Sequence, residues 1–390
     1  MQRVYLDNAA TTRVRPEVVQ AMLPYFTEIY GNPSSLHTFA QEAAKGIADA
    51  RSSVAQALHA ASPEEIIFTG GGSESDNMVL RGIAQAYAKK GRHIITSAVE
   101  HHAVLHTLQA MEREGIVEVT YLPVDADGKV SVESVAAAIR PDTILVSIMF
   151  ANNEVGTIMP IPEIGRVCHE KGVLFHTDAV QAVGHVPIDV QQMQIDLLSL
   201  SAHKFHGPKG VGALYVKKGV RLPALILGGG QERKKRAGTE NVPGIVGLGV
   251  AISHAVEHME ENAAHMRALR DRLIAGIPAA IPDVKLNGHP TDRLPNNVNF
   301  SIRYIEGESI LLMLDINGIA ASSGSACTSG SLDPSHVLLA MGLTHEVAHG
   351  SLRLSLSEYT TEQEIDYVLE LLPKIVERLR AMSPLYHGGK

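Results

Sequence analysis

The chain has 390 residues, with 34 basic against 42 acidic side chains and a formal net charge of −8 at pH 7. This acidic balance argues against nucleic acid or an anionic membrane surface as a main partner. Two cysteines exclude a disulfide framework, and no apolar run approaches the ~20 residues of a membrane span. Because the amino terminus also lacks the pattern of a secretory signal, we expect a protein of the reducing cytoplasm.

From about residue 65 to residue 216, short apolar runs alternate with helical patterns. The runs EIIFTGGG, HIITSAVEH, TILVSIMFANNEVG, VLFHTDAVQ, IDLLSLSAHK and GVGALYVKK predict strands. Helical spacing follows the first two runs, and we expect the first helix to end at a Gly91 cap. This alternation indicates an α/β fold with a mainly parallel sheet. Ligands of such sheets bind beyond the carboxyl ends of the strands, which directs attention to the polar residues there.

The pattern changes after about residue 240. Residues 255–277 (AVEHMEENAAHMRALRDRLIAGI) predict one long helix suited to connecting two domains. The remainder is typical of a smaller α+β unit, and its last helix is predicted from EQEIDYVLELLPKIVERLRAM. We therefore expect a large domain at 13–255 and a small domain formed by 1–12 and 256–390, with a cysteine loop at about 321–333.

Three polar clusters at predicted strand ends point to one cofactor. The glycines of FTGGGSESDN allow close approach of a ligand, and the helix after them offers free N–H groups to a phosphate; a plain tight turn is the alternative. Asp178 ends a core strand, where a carboxylate needs a cationic partner. Lys204 follows another strand, where partial desolvation suits a Schiff-base lysine, although lone lysines are usually solvated. This order matches the pattern of pyridoxal 5′-phosphate enzymes.

Further candidates come from the remaining strand ends. His101 or His102 could stack on a ring or move protons, although single histidines more often cap helices or lie on the surface. Asn153 could orient a polar group of a substrate, and Arg353 could bind a carboxylate through two hydrogen bonds; turn amides and surface ion pairs are the alternatives. The pattern HEVAH at 345–349 matches a zinc-protease motif, but Gly350 and a strand-like run follow it, so we expect no metal.

The two cysteines have different settings. Cys168 lies in the amphipathic pattern IGRVCHEKG, which predicts a buried thiol on a helix. Cys327 lies in ASSGSACTSGSLDPSH, and such a composition is typical of an exposed loop in which a thiolate can form. Cys327 is therefore the candidate for chemistry.

These motifs, together with YLDNAATT, YGNPSSLH, RAGTENV and YIEGESILL, occur in an order that resembles the NifS-type cysteine desulfurases over nearly the whole chain. The family consists of pyridoxal-phosphate enzymes with the aspartate-aminotransferase fold (fold type I). The resemblance implies a homodimer that removes sulfur from L-cysteine, giving L-alanine and a persulfide on Cys327. An iron–sulfur scaffold or another acceptor protein would then receive the sulfur. Ala9, where Asn is more usual, and the variable His102 are peripheral departures.

The resemblance also implies roles for individual residues. Lys204 would bind the cofactor as a Schiff base and later move the substrate's Cα proton, while His101 would stack on the ring and transfer protons. The other implied roles are Asp178 at the pyridine nitrogen, Gln181 at the ring hydroxyl, Gly72, Ser73, Ser201 and His203 at the phosphate, Thr239 at the partner subunit's phosphate, Asn153 and Arg353 at the substrate carboxylate with Asn32 nearby, and Cys327 as nucleophile.

Other functions on the same scaffold stay open at this point. An aminotransferase, a selenocysteine lyase or a β-lyase would need no thiol, so Cys327 argues against all three. A non-catalytic scaffold that only binds iron–sulfur assembly proteins is disfavoured by the complete set of Lys204, Asp178 and Arg353. The sequence does not distinguish nitrogenase assembly, general iron–sulfur assembly and tRNA thiolation as the destination of the sulfur.

Overall fold

A computed structural model describes residues 3–323 and 334–386. Its strands are β1 (Val4–Tyr5), β2 (Ile66–Thr69), β3 (His93–Ser97), β4 (Glu118–Leu122), β5 (Thr143–Ser147), β6 (Leu174–Asp178), β7 (Leu197–Ser201), β8 (Gly212–Val216), β9 (Val284–Leu286), β10 (Asn297–Ile302), β11 (Ile319–Ala320) and β12 (Ser351–Ser355). Its helices are α1 (Pro16–Met22), α2 (Pro24–Thr27), α3 (Thr38–Ala57), α4 (Gly72–Ala86), α5 (His102–Arg113), α6 (Val132–Ala138), α7 (Ile161–Glu170), α8 (Gln231–Lys234), α9 (Val242–Glu257), α10 (Met259–Ala280), α11 (Gly307–Ile316), α12 (His336–Ala340), α13 (His345–His349) and α14 (Glu362–Met382).

A seven-stranded sheet with the order β2-β8-β7-β6-β5-β3-β4 forms the centre of the fold. Only β8 runs against its neighbours, so the predicted α/β fold with a mainly parallel sheet is confirmed. The carboxyl ends of β2, β3, β5, β6 and β7 therefore share one edge. That edge also receives the start of β8, because Gly212 lies opposite both Thr69 and Ser201.

The central strands are apolar because both faces of the sheet are covered. All five residues of β5 are buried. Val146 of this strand packs into one hydrophobic cluster and Leu145 into another, as expected for side chains that alternate across a sheet. Cys168 on α7 is fully buried in the first cluster, so the predicted buried helical thiol is confirmed.

A second, smaller unit packs beside the sheet. Strands β12-β10-β9 form an antiparallel sheet, and β1 pairs with β11. Residues of α10, α11 and α14 join the three-stranded sheet in a third hydrophobic cluster. Val337 and Leu338 of α12 instead pack into the first cluster of the large sheet. The division of the chain at residues 12 and 255 stays a prediction.

Two predicted helix boundaries are wrong, each for a physical reason. Helix α4 ends at Ala86, not at Gly91, and the chain then turns through hydrogen bonds to the Tyr87 carbonyl. Gly91 is needed for close packing instead, because a Cβ atom there would lie 2.1 Å from the Asp142 carbonyl oxygen. The predicted long helix at 255–277 is broken at His258, where α9 and α10 meet at 71°. The break follows from packing, since α9 contributes to the first hydrophobic cluster and α10 to the third.

No single helix in the two described ranges combines the length and apolar composition that crossing a membrane requires. Helices α9 and α10 meet that requirement only when taken together, across their bend.

Candidate active site

A cavity of about 300 Å³ opens at the shared edge of the large sheet. It collects most of the predicted site residues in one place. Its lining comprises Ala9, Ala10, Gly72, Ser73, Asp76, His101, Met149, Ala151, Asn153, Asp178, Val180, Gln181, Ser201, His203, Lys204 and Arg353. The side chains come from different strand ends, as expected for a ligand site of an α/β sheet.

Lys204 is held by the amino-terminal segment. It ends a short 3-10 turn after β7, and its Nζ donates to the carbonyls of Ala9 (2.6 Å) and Ala10 (2.8 Å). The segment is fixed in turn by Thr12, whose N–H and Oγ1 both donate to the His203 carbonyl. Lys204 is therefore half-buried and oriented, and the alternative of a freely solvated lysine is wrong.

Asp178 and Gln181 form a buried wall of the cavity. Both are 6% exposed; Asp178 Oδ1 accepts from the Val180 N–H, and Gln181 Nε2 donates to the Ala9 carbonyl. Burial raises the pKa of Asp178 to about 6, although the nearby Lys204 charge acts in the opposite direction. A cationic group placed in the cavity would restore the ionised form of this carboxyl.

His101 is a neutral imidazole that caps a helix and also lines the cavity. Its Nδ1 accepts from the Ala103 N–H (3.1 Å) at the start of α5, which assigns its proton to Nε2. Burial, followed by the Lys204 charge and that of His336, lowers the pKa of His101 to about 4. The capping role offered as an alternative is thus present, and it orients the ring in the cavity.

The opposite end of the cavity is a turn of three glycines. Gly71 adopts φ +148°, and α4 then begins without a side-chain cap, so N–H groups of its first turn point toward the cavity edge. The turn packs on β8 at Gly212, where a Cβ atom would lie 2.7 Å from Gly71 Cα. Ser201 and His203 lie beside it. Burial lowers the pKa of His203 to about 4.

An adjoining cleft adds Thr11 and Lys209 to this end. Thr11 Oγ1 lies 3.1 Å from His203 Nδ1, and Lys209 supplies a positive charge near the glycine turn. Sequence reasoning missed both residues. Lys209 belongs to the motif SAHKFHGPKG, but it lies five residues after Lys204 and does not directly follow the predicted strand.

Arg353 uses only part of its hydrogen-bonding capacity within the described residues. Its Nη1 donates to the Asn153 carbonyl (3.0 Å) and its Nη2 to Asp7 Oδ1 (3.0 Å), while the residue is 3% exposed. Its Nε has no hydrogen-bond partner within the described ranges. A buried guanidinium with an unused donor is suited to a substrate carboxylate. Asn153 contacts Arg353 through its backbone carbonyl, and Asp7 was missed by sequence reasoning.

Three predicted site residues are not placed in this cavity. Asn32 is exposed, and its side chain accepts from the Ser34 N–H outside the cavity. Thr239 is exposed and lines a separate depression with Gly70 and Arg236 on the outer side of the glycine turn. Cys327 lies outside the described residues.

The chain on either side of the undescribed residues is attached to the substrate end. Ser322 and Arg353 exchange two backbone hydrogen bonds. On the other side, Ser335 donates a short hydrogen bond to the carboxylate of Glu154, the neighbour of Asn153. His336 Nε2 lies 3.0 Å from the carbonyl of Glu100, the neighbour of His101.

The motif HEVAH forms only the five-residue helix α13, which ends at His349. Within residues 3–323 and 334–386, no group of three His, Cys, Asp or Glu side chains is arranged to hold a metal ion.

Comparison with known proteins identifies the family. The family model described as "Aminotransferase class-V" matches residues 4–368. "Cysteine desulfurase IscS" from Clostridium botulinum is 62% identical over 388 residues, which cover 99% of this chain and 97% of that protein. The protein of the same name from Methanosarcina thermophila is 60% identical, covering 98% and 94%.

Solved structures agree with the sequence relatives. A "NIFS-LIKE PROTEIN" superposes with a TM-score of 0.91 at 42% identity, covering 97% of this chain and all of that one. "SspA in complex with cysteine" gives a TM-score of 0.81 at 40% identity, covering 92% and 100%. The chain therefore belongs to the class-V aminotransferase family and, within it, to the NifS-type cysteine desulfurases, which depend on pyridoxal 5′-phosphate.

Proposed function

We propose that the cavity residues carry out the desulfurase reaction on L-cysteine, with Cys327 as the group that takes the sulfur. One observation carries this proposal. A single cavity joins an oriented lysine, a buried carboxyl and a buried arginine with an unused donor. These groups suit, in turn, a carbonyl cofactor, its ring nitrogen and the carboxylate of an amino-acid substrate.

The residues present fit pyridoxal 5′-phosphate. Its phosphate would bind the N–H groups of Gly72 and Ser73 at the start of α4, together with Ser201 and His203. The crowding at Gly72 supports this placement, since a Cβ atom there would lie 2.6 Å from Val180 Cγ2 and would narrow the turn. Gln181 would bond the ring hydroxyl. The bound cofactor supplies an electron sink, which stabilises negative charge on the substrate's Cα.

Asp178 would hold the proton of the ring nitrogen through an ionic hydrogen bond. Lys204 Nζ would bind the cofactor's carbonyl carbon and, once displaced by substrate, would take a proton from the substrate's Cα. His101, stacked on the ring, would transfer protons through Nε2, the nitrogen that carries its hydrogen. Its low pKa keeps the imidazole neutral near pH 7, so Nε2–H is the group that can donate a proton.

Arg353 would bind the substrate carboxylate with its free Nε and the adjacent Nη2. The Asn153 carbonyl accepts a hydrogen bond from Nη1 and so orients the guanidinium. Asn32 would lie near the substrate carboxylate in the working protein. The Cys327 thiolate would attack the substrate sulfur, forming an S–S bond as the C–S bond breaks. The electron pair of the broken bond stays on carbon and is protonated, so cysteine and a thiol give alanine and a persulfide.

We place the working protein as a homodimer in the cytoplasm. Support comes from large exposed apolar side chains, including Leu36 at 94% and Leu227 at 84% exposure, which a second subunit would cover. Thr239 would then reach the partner subunit's phosphate. A reducing compartment keeps the Cys327 thiol available. An iron–sulfur scaffold or another acceptor protein would receive the persulfide sulfur.

A single-turnover experiment tests the assignment. The purified protein, loaded with pyridoxal 5′-phosphate, is mixed with L-cysteine without reductant, and alanine and peptide-bound sulfur are measured. We expect equal amounts of alanine and of sulfur on the Cys327 peptide, and neither product from Cys327→Ala. Cys168→Ala is the matched control, because burial raises the pKa of that thiol to about 12 and it should not react.

Other outcomes would identify a different reaction. Pyruvate without persulfide would indicate a β-lyase, and turnover of selenocysteine but not of cysteine by the wild-type protein would indicate a selenocysteine lyase. A protein that cannot bind the cofactor would indicate a scaffold without catalysis. Each of these results would overturn the assignment of Cys327 as sulfur acceptor.

A further inference from the structure

Asp76 is a buried carboxyl that the roles above leave unexplained. It lies one turn into α4, four residues after Gly72, so the helix that offers its N–H groups to the phosphate also carries this side chain. The residue is 1% exposed and lines the cavity beside Asp178. Its Oδ1 has no hydrogen-bond partner in the part of the chain that the structure describes.

The groups around Asp76 cannot support an ionised carboxylate. Strand β6 contributes His176 and Asp178, which lie two residues apart on one face, and His176 Nε2 is 3.7 Å from Asp76 Oδ1. The ring nitrogens of His176 lie 2.8 Å from Ser147 Oγ and 3.0 Å from Ser199 Oγ, and burial lowers the pKa of this imidazole to about 3. The nearby Ser199 hydroxyl is a neutral group that lowers the pKa of Asp76 less than burial raises it.

The other acidic groups act in the same direction. Asp178 and Glu100 are both buried, and their charges join burial in raising the pKa of Asp76 well above the usual range. Burial also raises the pKa of Glu100 to about 8, so the charge of Glu100 acts on Asp76 only as the pH approaches that value. Asp178 accepts a hydrogen bond from the Val180 N–H, and the Lys204 charge also favours its ionised form. Neighbouring carboxyls in a buried site do not both ionise, and Asp178 is the one with a cationic neighbour.

We propose that Asp76 is a protonated carboxylic acid in the working protein, a positioning residue that leaves Asp178 as the single ionised carboxylate facing the cofactor's ring nitrogen. The pair then carries one negative charge, which matches the single positive charge of a protonated pyridine ring. The proposal rests on the function proposed above, since it takes Asp178 as the partner of that nitrogen.

Infrared spectroscopy tests the protonation state directly. The wild-type protein is produced with ¹³C-labelled aspartate and measured at pH 8, where Asp178 is ionised. We expect the carbonyl stretch of a neutral aspartic acid, shifted by the label, in the apoprotein and in the protein loaded with pyridoxal 5′-phosphate. Asp76→Asn should remove it, and the control Glu100→Gln should leave it. Absence of the band, its persistence in Asp76→Asn, or its loss on cofactor binding would overturn the proposal.

Stability provides a second readout that a purely structural role would not move. Asp76 is ionised above pH ~4 in the unfolded chain, so folding must take up a proton. The wild type should therefore lose stability relative to Asp76→Asn as pH rises, by up to about tenfold in the unfolding constant for each pH unit. Thermal unfolding of both apoproteins at pH 5 and pH 8 measures the difference. If the stability of Asp76→Asn relative to the wild type were the same at both pH values, or lower at pH 8, Asp76 would be ionised in the folded protein.

The two proposals can fail separately. Asp178→Asn that binds pyridoxal 5′-phosphate as tightly as the wild type would refute the assignment of the ring-nitrogen site. The infrared band of the apoprotein does not depend on that result, because no cofactor is present in that measurement.

Discussion

The two ends of the cofactor cavity differ in exposure: the glycine turn forms an open end, and Asp76 and Asp178 form a closed end. At the glycine turn, Gly70, Ser73 and Lys209 are exposed, and an anion there would meet several N–H, hydroxyl and imidazole donors. At the other end, Asp76 and Asp178 are buried, and a cation would meet a single carboxylate. Cofactor binding at the open end is therefore shared among many weak contacts, whereas at the closed end it depends on one strong contact.

Asp178→Asn should have the largest effect on cofactor binding, because it removes the charge of the closed end. Loss of a buried charge-assisted hydrogen bond costs about 3 kcal/mol, which corresponds to ~100-fold in affinity. Titration of the apoprotein with pyridoxal 5′-phosphate, followed by absorbance, measures the dissociation constant. A loss of less than tenfold would show that the two ends do not differ as described.

Arg353→Lys tests the substrate side of the cavity, where the proposed role of the buried cation is to bind the substrate carboxylate. A lysine keeps the charge but loses the planar arrangement of Nε and Nη2 that suits a carboxylate. We expect KM for L-cysteine to rise ~10-fold or more, about 1.5 kcal/mol, with a smaller change in kcat. Asp7→Asn is the control, because it removes the negative charge beside Nη2, keeps an acceptor oxygen there and leaves Nε in place. A change in kcat alone would contradict a role in substrate binding.

Ser201→Ala should have a smaller effect, because the open end shares its contacts among several groups. Removing one neutral hydroxyl donor costs about 1 kcal/mol, or ~5-fold in affinity for pyridoxal 5′-phosphate. The same titration measures it beside Asp178→Asn. If Ser201→Ala weakened binding as much as Asp178→Asn, the phosphate contacts would not be distributed.

The sequence predicted residues at both ends but missed Thr11 and Lys209 at the open end and Asp76 at the closed end. Glycines, a helix start and a lysine after a strand have local signatures, so the glycine turn and Lys204 could be found from short motifs. Asp76 has no such signature, because within α4 it reads as one more polar residue on an amphipathic helix. Only the packing of α4 against β6 and β7 brings it to His176 and Asp178.

Long-range packing also explains the predicted boundaries that were wrong. The break at His258 depends on α9 and α10 packing in different cores, which a window of residues 255–277 does not contain. Gly91 resembles a helix cap in sequence, but its partner is the Asp142 carbonyl, fifty-one residues later. In both cases the helical pattern was correct and the point of termination was set by distant residues.

The open end is also braced from outside by a strained turn. Glu232, Arg233 and Lys234 in α8 have φ values of 45°, 53° and 64°, a left-handed run that is costly for side chains with a Cβ atom. Two of the three have contacts that explain them. Glu232 accepts from both Nη atoms of Arg51 and from the Phe68 N–H just before the glycine turn, and Arg233 donates to the carbonyl of Ile66.

Lys234→Gly should therefore produce the smallest effect, and a favourable one. Lys234 is exposed, and its side chain makes no hydrogen bond or ion pair within the described ranges. Glycine at this position should remove about 1–2 kcal/mol of left-handed strain from the folded state. Its greater conformational freedom in the unfolded chain should offset about 0.4–1 kcal/mol of that stabilisation. The net gain should raise Tm by about 1–2 °C. Lys235→Gly is the contrast, because Lys235 has ordinary helical angles and bonds the Leu222 carbonyl, so Tm should fall. A fall in both variants would mean that Lys234 holds the brace through its side chain, and the strain at this position would then be part of how the open end keeps its shape.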